Sequence, residues 1–147
     1  MLGDLDVIVI DCQTTGSTPE RGHLLEVAWR RRGREVVSRL VQLPDGERIP
    51  RRIAKLTGIR PHDLRGALSP AELRAELAAA AADVPAVAHF ARFERAFLEP
   101  ALGLDWICTH DIVCRLMPGL PRRGLRAVAG YFGHVMGESK RAAAHVR

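Results

Sequence analysis

The stretch from Val7 to Gly16 most constrains what this chain can fold into, because it joins a short apolar run to an acid. The run Val7-Ile8-Val9-Ile10 is rich in β-branched residues and predicts a strand that is buried on both faces. A buried carboxylate needs a partner or a cation, so packing alone rarely places an acid there. Asp11 is predicted at the end of this strand, where it is typical of a metal or phosphate site. The alternative is an Asp that only caps the next turn.

Length and composition indicate one globular domain over residues 1–147, of which 47% are hydrophobic and 27% charged. No apolar run is long enough to cross a bilayer, and the start Met1-Leu2-Gly3-Asp4 lacks the basic-then-apolar pattern of a signal peptide. Three cysteines without paired spacing argue against a disulfide framework. We therefore expect a cytoplasmic protein with reduced thiols and no membrane association.

The chain is basic, with a net charge of +5 and a pI near 9.8. This balance favours an acidic partner, with nucleic acid as the first candidate. Arginine greatly outnumbers lysine and alanine is abundant, a pattern that GC-rich coding also produces. The charge is therefore only supporting evidence for a nucleic-acid partner.

The hydrophobic pattern predicts three strands first, over 7–10, 24–32 and 35–43, joined by short turns as in an antiparallel meander. The capping box Ser69-Pro70-Ala71-Glu72 predicts the start of a helix over 70–82. The other predicted elements are helices over 51–56, 92–102, 112–116 and 125–132, strands over 84–88 and 106–109, and a last helix capped by Ser139. Such an order predicts a mixed α/β sheet with helices on its faces.

Two further stretches carry chemistry, Ala88-His89-Phe90-Ala91-Arg92-Phe93-Glu94 and Ser139-Lys140-Arg141-Ala142-Ala143-Ala144-His145. Together with Asp11-Cys12-Gln13-Thr14-Thr15-Gly16 and Leu56-Thr57-Gly58-Ile59, they resemble the DEDDh, or DnaQ-like, family of 3′–5′ exonucleases, which includes the proofreading subunit of bacterial replicative polymerase. The resemblance implies a ribonuclease-H-like fold with a mixed five-stranded sheet. It also implies two divalent metals that hydrolyse a phosphodiester at a 3′ end.

Two Mg²⁺ ions about 3.5–4 Å apart need several anionic oxygens to hold them. The family supplies four acids and a His general base. Asp11 matches the first acid, and Glu94 stands at the position of an Asp. The resemblance places Gln13 at the position of the Glu, Lys140 at that of the His base, and His145 at that of the last Asp.

These departures change the expected chemistry. Gln13 is neutral, and Lys140 carries a proton at neutral pH and so is unfit to accept one. The imidazole of His145 prefers Zn, Ni or Cu to Mg. Asp11 and Glu94 remain, and two carboxylates predict one Mg²⁺ or Mn²⁺ at most. We expect a catalytically impaired domain; the alternative is a weakly active metal-dependent 3′–5′ exonuclease that uses Asp11 and Glu94.

The residues that contact the substrate in this family are only partly matched in the sequence. Thr14, Thr15 and Gly16 match the segment that cradles the 3′-terminal nucleotide, whereas Phe90 follows His89 where the family usually has Asn. The implied partners are a single-stranded DNA or RNA 3′ end and a polymerase or nuclease. Cationic side chains that could line a groove for phosphates, or form only a solvated face, are Arg122, Arg123, Arg126, Lys140 and Arg141.

Two other patterns are weighed against these. The run Arg30-Arg31-Arg32 near a predicted sheet edge suits edge protection or a partner contact, as in a purely structural interaction domain. Cys108, His110 and Cys114 supply only three candidate zinc ligands at an unusual spacing, so core cysteines are favoured. The last predicted helix stops two residues after His145 and is therefore expected to be short or truncated.

Overall fold

The computed structural model describes residues 5–99 and 101–147. The signal-peptide prediction concerns residues 1–4 and lies outside this range. The strands are β1 (Ile8–Thr14), β2 (Leu24–Arg31), β3 (Val37–Leu40), β4 (Ala86–Ala88) and β5 (Trp106–Cys108). They form one five-stranded sheet in the order β3-β2-β1-β4-β5.

The sheet is mixed, as the sequence predicts. β1 pairs with β2 and β2 with β3 in antiparallel fashion, whereas β4 lies parallel to both β1 and β5. The meander therefore accounts for one half of the sheet, and the alternating helices and strands add the other half through crossover connections. The prediction of three antiparallel strands followed by an α/β arrangement is confirmed.

The helices are α1 (Arg51–Thr57), α2 (Pro70–Ala80), α3 (Ala91–Leu98), α4 (Thr109–Leu116), α5 (Leu125–Tyr131) and α6 (Ala142–His145), with a 3-10 turn over Pro61–Leu64. The capping box that begins α2 is present. The Glu72 amide donates to Ser69 Oγ at 3.2 Å, and the Ser69 amide donates to the Glu72 carboxylate at 2.8 Å. α1 ends at Gly58, whose φ of 74° is the left-handed conformation that glycine tolerates best.

Some element bounds differ from the prediction. α3 ends at Leu98, because the Glu99 carboxylate instead accepts the backbone N–H groups of Gly103 and Leu104 and the indole N–H of Trp106. The predicted helix over 92–102 is therefore too long, and Pro100 within it lies outside the described residues. β3 is shorter than the predicted 35–43, since its pairing with β2 covers only four positions.

The first strand continues past the predicted end. β1 stays paired with β2 through Asp11, which lies opposite Ala28, and Gln13, which lies opposite Glu26. The prediction that Asp11 marks the strand end is therefore wrong, and so is the prediction that the strand is fully buried on both faces. Buried and half-buried residues alternate along β1, and Asp11 and Gln13 occupy the half-buried face.

The main core lies on one face of the sheet. Its fully buried members include Ile8 and Val27 from the strands and Leu73, Leu77 and Leu98 from the helices. The opposite face of the sheet carries a smaller cluster, in which residues of the C-terminal segment cover the backbone of β1 and β2. That cluster is made of Ala28, Ala142 and Val146, with Val9, Val36 and Ala143 packed against it.

The run Arg30-Arg31-Arg32 begins just past Trp29, the last residue of β2 that pairs with β3, and its predicted role in edge protection or a partner contact stays a prediction. β2 is an internal strand, and the edges of the sheet are β3 and β5. Arg31 forms an ion pair with Asp6, and the Arg30 guanidinium donates to the Arg34 carbonyl at 3.2 Å. The Arg30–Arg34 contact lies within the β2–β3 turn, whereas the Arg31–Asp6 pair joins the end of β2 to the segment that precedes β1. No helix among the described residues is long and apolar enough to span a membrane.

Candidate active site

Asp11 and Gln13 point to the same face of β1, because side chains two positions apart along a strand share a face. The Gln13 side-chain amide donates to Asp11 Oδ2 at 3.1 Å. His145 Nδ1, from α6, lies 3.2 Å from the same oxygen. Three of the positions that the resemblance singles out therefore meet, although 134 residues separate Asp11 from His145.

Glu94 lies in the first turn of α3 and is only 3% exposed. Its Oε2 atom is buried without a hydrogen-bond partner. Burial raises the pKa of this carboxyl to about 8, and the nearby Asp11 charge adds to the rise against opposing hydrogen bonds from the backbone of Glu94 and Cys12. Glu94 is therefore mostly protonated at neutral pH.

Cys12 lies between Asp11 and Gln13 on β1, and its side chain is buried in the main core. Burial raises the pKa of its thiol well above the usual value, and the charges of Glu94 and Asp11 raise it further. A thiol in this environment stays protonated and is a packing group.

Glu26 is a positioning residue that the sequence pattern did not single out. It is fully buried on β2, and its carboxylate accepts four hydrogen bonds: from Ser38 Oγ, from Arg141 Nε and Nη2, and from the Ala142 amide, at 2.8–3.0 Å. The hydrogen bonds to Glu26 raise the pKa of the Arg141 guanidinium. This buried ion pair fixes the start of α6 and so holds His145 beside Asp11. The sequence signal that could have identified Glu26 is a single acidic residue within an otherwise apolar strand.

An open cleft of about 890 Å³ surrounds these groups. The positions at which the family has metal-binding acids are Asp11, Gln13, Glu94 and His145. The cationic residues of the cleft are Arg92, Arg122, Arg126 and Lys140. The other residues that line it are Cys12, His89, Phe90, Phe93, Gly124, Leu125, Ala127 and Met136. All five matched catalytic positions therefore line a single cavity.

The predicted phosphate groove is only partly present. Arg122, Arg126 and Lys140 line the cleft, but Arg141 is held by Glu26 and Arg123 is held elsewhere. The Arg123 guanidinium donates to the Pro118 carbonyl at 2.5 Å. Neither arginine is among the cleft residues, so the prediction is wrong for these two side chains.

His89 joins two segments of the chain at one wall of the cleft through hydrogen bonds at both ring nitrogens. Its Nε2 lies 2.7 Å from the Arg123 carbonyl and its Nδ1 lies 2.9 Å from Thr109 Oγ1. A carbonyl can only accept, so Nε2 carries the proton and Nδ1 accepts from the threonine hydroxyl. Burial lowers the pKa of this imidazole, which is consistent with a neutral ring. Both ring nitrogens are engaged within the protein.

The Thr14-Thr15-Gly16 segment bonds to itself and to the following loop. The Thr14 hydroxyl donates to the Gly16 carbonyl at 2.6 Å, and Thr15 Oγ1 accepts the His23 amide at 2.9 Å. None of the three residues is among those that line the cleft. The segment therefore shapes the turn at the end of β1, and its predicted contact with a terminal nucleotide stays a prediction.

Gly16 and Gly22 bring two backbone segments into close contact below this turn. A Cβ on Gly16 would lie 2.2 Å from the Arg21 carbonyl oxygen. We expect Gly16→Ala to lower the free energy of unfolding by about 1–3 kcal/mol, because the backbone must move to admit the methyl group. Urea denaturation measures this change. Gly119→Ala is the matched control, since no atom lies within 4 Å of its added Cβ; equal losses in the two variants would contradict the prediction.

The residues present do not fit a two-ion centre. The two carboxylates are Asp11 and Glu94, and Asp11 Oδ2 already has Gln13 and His145 as neighbours. Within residues 5–99 and 101–147, no three His, Cys, Asp or Glu side chains are grouped to hold a metal ion. A mechanism through two metal ions therefore lacks its ligands in the described part of this chain.

Comparison with known proteins supports the fold assignment. No family model matches the chain. The DNA polymerase III PolC-type of Thermotoga maritima is 32% identical over 110 residues, which cover 71% of this chain and 8% of the polymerase. Escherichia coli exonuclease I in complex with a dT13 oligonucleotide aligns with a TM-score of 0.79 and 16% identity, over 97% of this chain and 39% of that chain.

Exonuclease X, in complex with 5′-overhanging duplex DNA, aligns with a TM-score of 0.71 and 20% identity over 95% of this chain and 87% of that one. The chain has the fold of the DnaQ-like exonucleases. The ribonuclease-H-like fold and the resemblance that the sequence indicates are thus confirmed. This exonuclease fold spans well under half of exonuclease I and a small part of the polymerase. A zinc-bound form of exonuclease I is also among the similar structures, with a TM-score of 0.80.

Proposed function

We propose that this exonuclease-fold domain binds the 3′ end of single-stranded DNA or RNA in its cleft and is impaired in two-metal cleavage. The observation that carries the proposal is the composition of the cleft. Arg92, Arg122, Arg126 and Lys140 line it, whereas its acids are Asp11 and the mostly protonated Glu94. A cavity with this balance attracts phosphate rather than a pair of divalent cations.

Lys140 and His145 support the loss of cleavage. The resemblance places Lys140 where the general base stands, and a protonated ammonium group cannot take a proton from water. His145 meets Asp11 at 3.2 Å, so a nitrogen donor occupies the position of the last acid. In our proposal the lysine supplies positive charge to a bound phosphate.

Similar structures support the ligand class. The exonuclease I structure holds a dT13 oligonucleotide, and the exonuclease X structure holds duplex DNA with a 5′ overhang. By analogy of fold, the phosphates of a strand end bound in this cleft lie beside its cationic side chains. The match to a PolC-type polymerase supports a second element of the proposal, namely that the domain docks with a polymerase. The three free cysteines suit a reducing cytoplasm.

The second candidate function is weak exonuclease activity with one metal ion. The buried and unpartnered Glu94 Oε2, close to Asp11, favours it, because such an oxygen gains a partner when a cation binds. A third candidate, a protein-interaction domain without nucleic acid, has no comparable observation in its favour.

The test combines binding and cleavage on one single-stranded oligonucleotide labelled at its 5′ end. We expect salt-sensitive binding and no shortening of the strand with Mg²⁺ or Mn²⁺. Arg122→Ala should weaken binding and reduce the slope of log K against log salt by about one, as one phosphate contact is lost. Arg52→Ala is the matched control, because Arg52 lies on α1 and does not line the cleft.

Two results would contradict this proposal. Cleavage that Asp11→Ala abolishes would establish the one-ion exonuclease instead. Absence of both binding and cleavage would favour the protein-interaction domain, and the search would move to a polymerase or nuclease partner.

A further inference from the structure

Phe90 has an unusual backbone for a bulky residue. Its φ of 68° and ψ of 48° lie in the left-handed region, and it is the residue that precedes α3 without capping it through a side chain. That region is costly for residues with a large Cβ substituent, and helix starts favour Ser, Thr, Asp or Asn. Among the described residues, Asp83 is the other non-glycine residue with positive φ. Phenylalanine is therefore a poor choice for the local fold.

The Phe90 side chain belongs to a group of three rings. It stacks on His110 with 3.9 Å between ring centroids and 23° between planes, and His89 meets both rings edge-on. Phe90 is 37% exposed and lines the cleft, whereas His110 does not. The phenyl ring is therefore the member of the stack that faces the cleft.

Cationic side chains share the cleft with this ring. Arg92 follows Phe90 by two positions on α3, and Arg122 and Arg126 also line the cavity. Aromatic rings beside cationic side chains are the usual arrangement for single-stranded nucleic acid, because bases stack on the rings while phosphates meet the charges.

We infer that Phe90, supported by His110, is a stacking platform for the unpaired 3′-terminal base of a single strand in the cleft. A phenyl ring has no hydrogen-bonding group, so it takes any base and does not read its identity. The strained conformation at Phe90 is then the cost of presenting an aromatic face to the ligand. This inference rests on the proposed function and specifies which part of the nucleic acid the site recognises.

The test uses two oligonucleotides of equal length and charge, one intact and one with an abasic residue at its 3′ end. We expect the wild type to bind the abasic strand about tenfold more weakly, from the loss of one stacked base. Phe90→Asn should bind both strands with the same affinity. Tyr131→Ala is the matched control, because Tyr131 is an exposed aromatic residue that does not line the cleft, and it should keep the tenfold difference. An abasic residue at the 5′ end should leave wild-type binding unchanged.

The stability of Phe90→Asn separates loss of stacking from loss of folding. Asparagine tolerates the left-handed region better than phenylalanine, which offsets the lost ring contacts, so the variant should melt close to the wild-type temperature. If Phe90→Asn is stable and still binds the intact strand about tenfold more tightly than the abasic strand, the inference of a stacking platform is overturned. Equal wild-type binding of both strands would also overturn it while leaving the proposed function intact, whereas no binding of either strand would overturn both.

Discussion

Glu26→Ala is expected to lower the free energy of unfolding by about 3 kcal/mol and to detach residues 141–147 from the sheet. The fully buried Glu26 carboxylate is the acceptor for Arg141, Ser38 and the Ala142 amide. Its removal leaves these donors without their partner, and burying unpaired polar groups is unfavourable. Urea denaturation measures the loss of stability, and limited proteolysis near Arg141 measures detachment.

Glu76→Ala is the matched control for Glu26→Ala. Glu76 also pairs with an arginine, Arg39, at 2.7 Å, but the side chains are 38% and 42% exposed. An exposed pair contributes about 1 kcal/mol or less. If the two variants lost equal stability, the buried pair would not anchor the C-terminal segment. Detachment also carries His145 away from Asp11 and releases the chain next to Lys140, so Glu26→Ala should weaken oligonucleotide binding although Glu26 does not line the cleft.

The stability of the protein is expected to fall as pH rises from about 4.5 to about 8, owing to Glu94. Between these values the folded state holds a proton that the unfolded state has already lost, so deprotonation favours unfolding. Above the folded-state pKa the two states hold the same number of protons and this contribution becomes constant. The full effect is on the order of 4–5 kcal/mol.

Glu94→Gln should remove this pH dependence and should be more stable than the wild type at about pH 9. The measurement is urea denaturation across the pH range in a buffer with EDTA, so that divalent cations do not bind the carboxyl groups. Glu72→Gln is the control: hydrogen bonds from the Ser69 backbone and side chain lower the pKa of the Glu72 carboxyl, so its contribution is present at high pH and is lost on acidification. A wild-type stability that stays level through this window would contradict the role assigned to Glu94.

Local signals in the sequence determined much of the fold. The capping box at Ser69 begins α2, Gly58 ends α1, and the apolar run before Asp11 forms the central strand. Each of these features depends on neighbours a few residues away, so a single sequence predicts them. The order of strands and helices then favours one mixed sheet. The five catalytic positions were implied by the resemblance to the DnaQ-like family, and the structure brings them to one cleft.

The tertiary structure alone decided which of these side chains have partners. Glu26 and Arg141 are 115 positions apart, and only the packing of α6 on the sheet pairs them. The arginines that face the cleft differ from those held within the fold, and no local pattern separates Arg122 from Arg123. The conformation of Phe90 depends on the join between β4 and α3. Sequence periodicity determines which face a residue takes on its own element, whereas the partner on that face is set by contacts between distant segments.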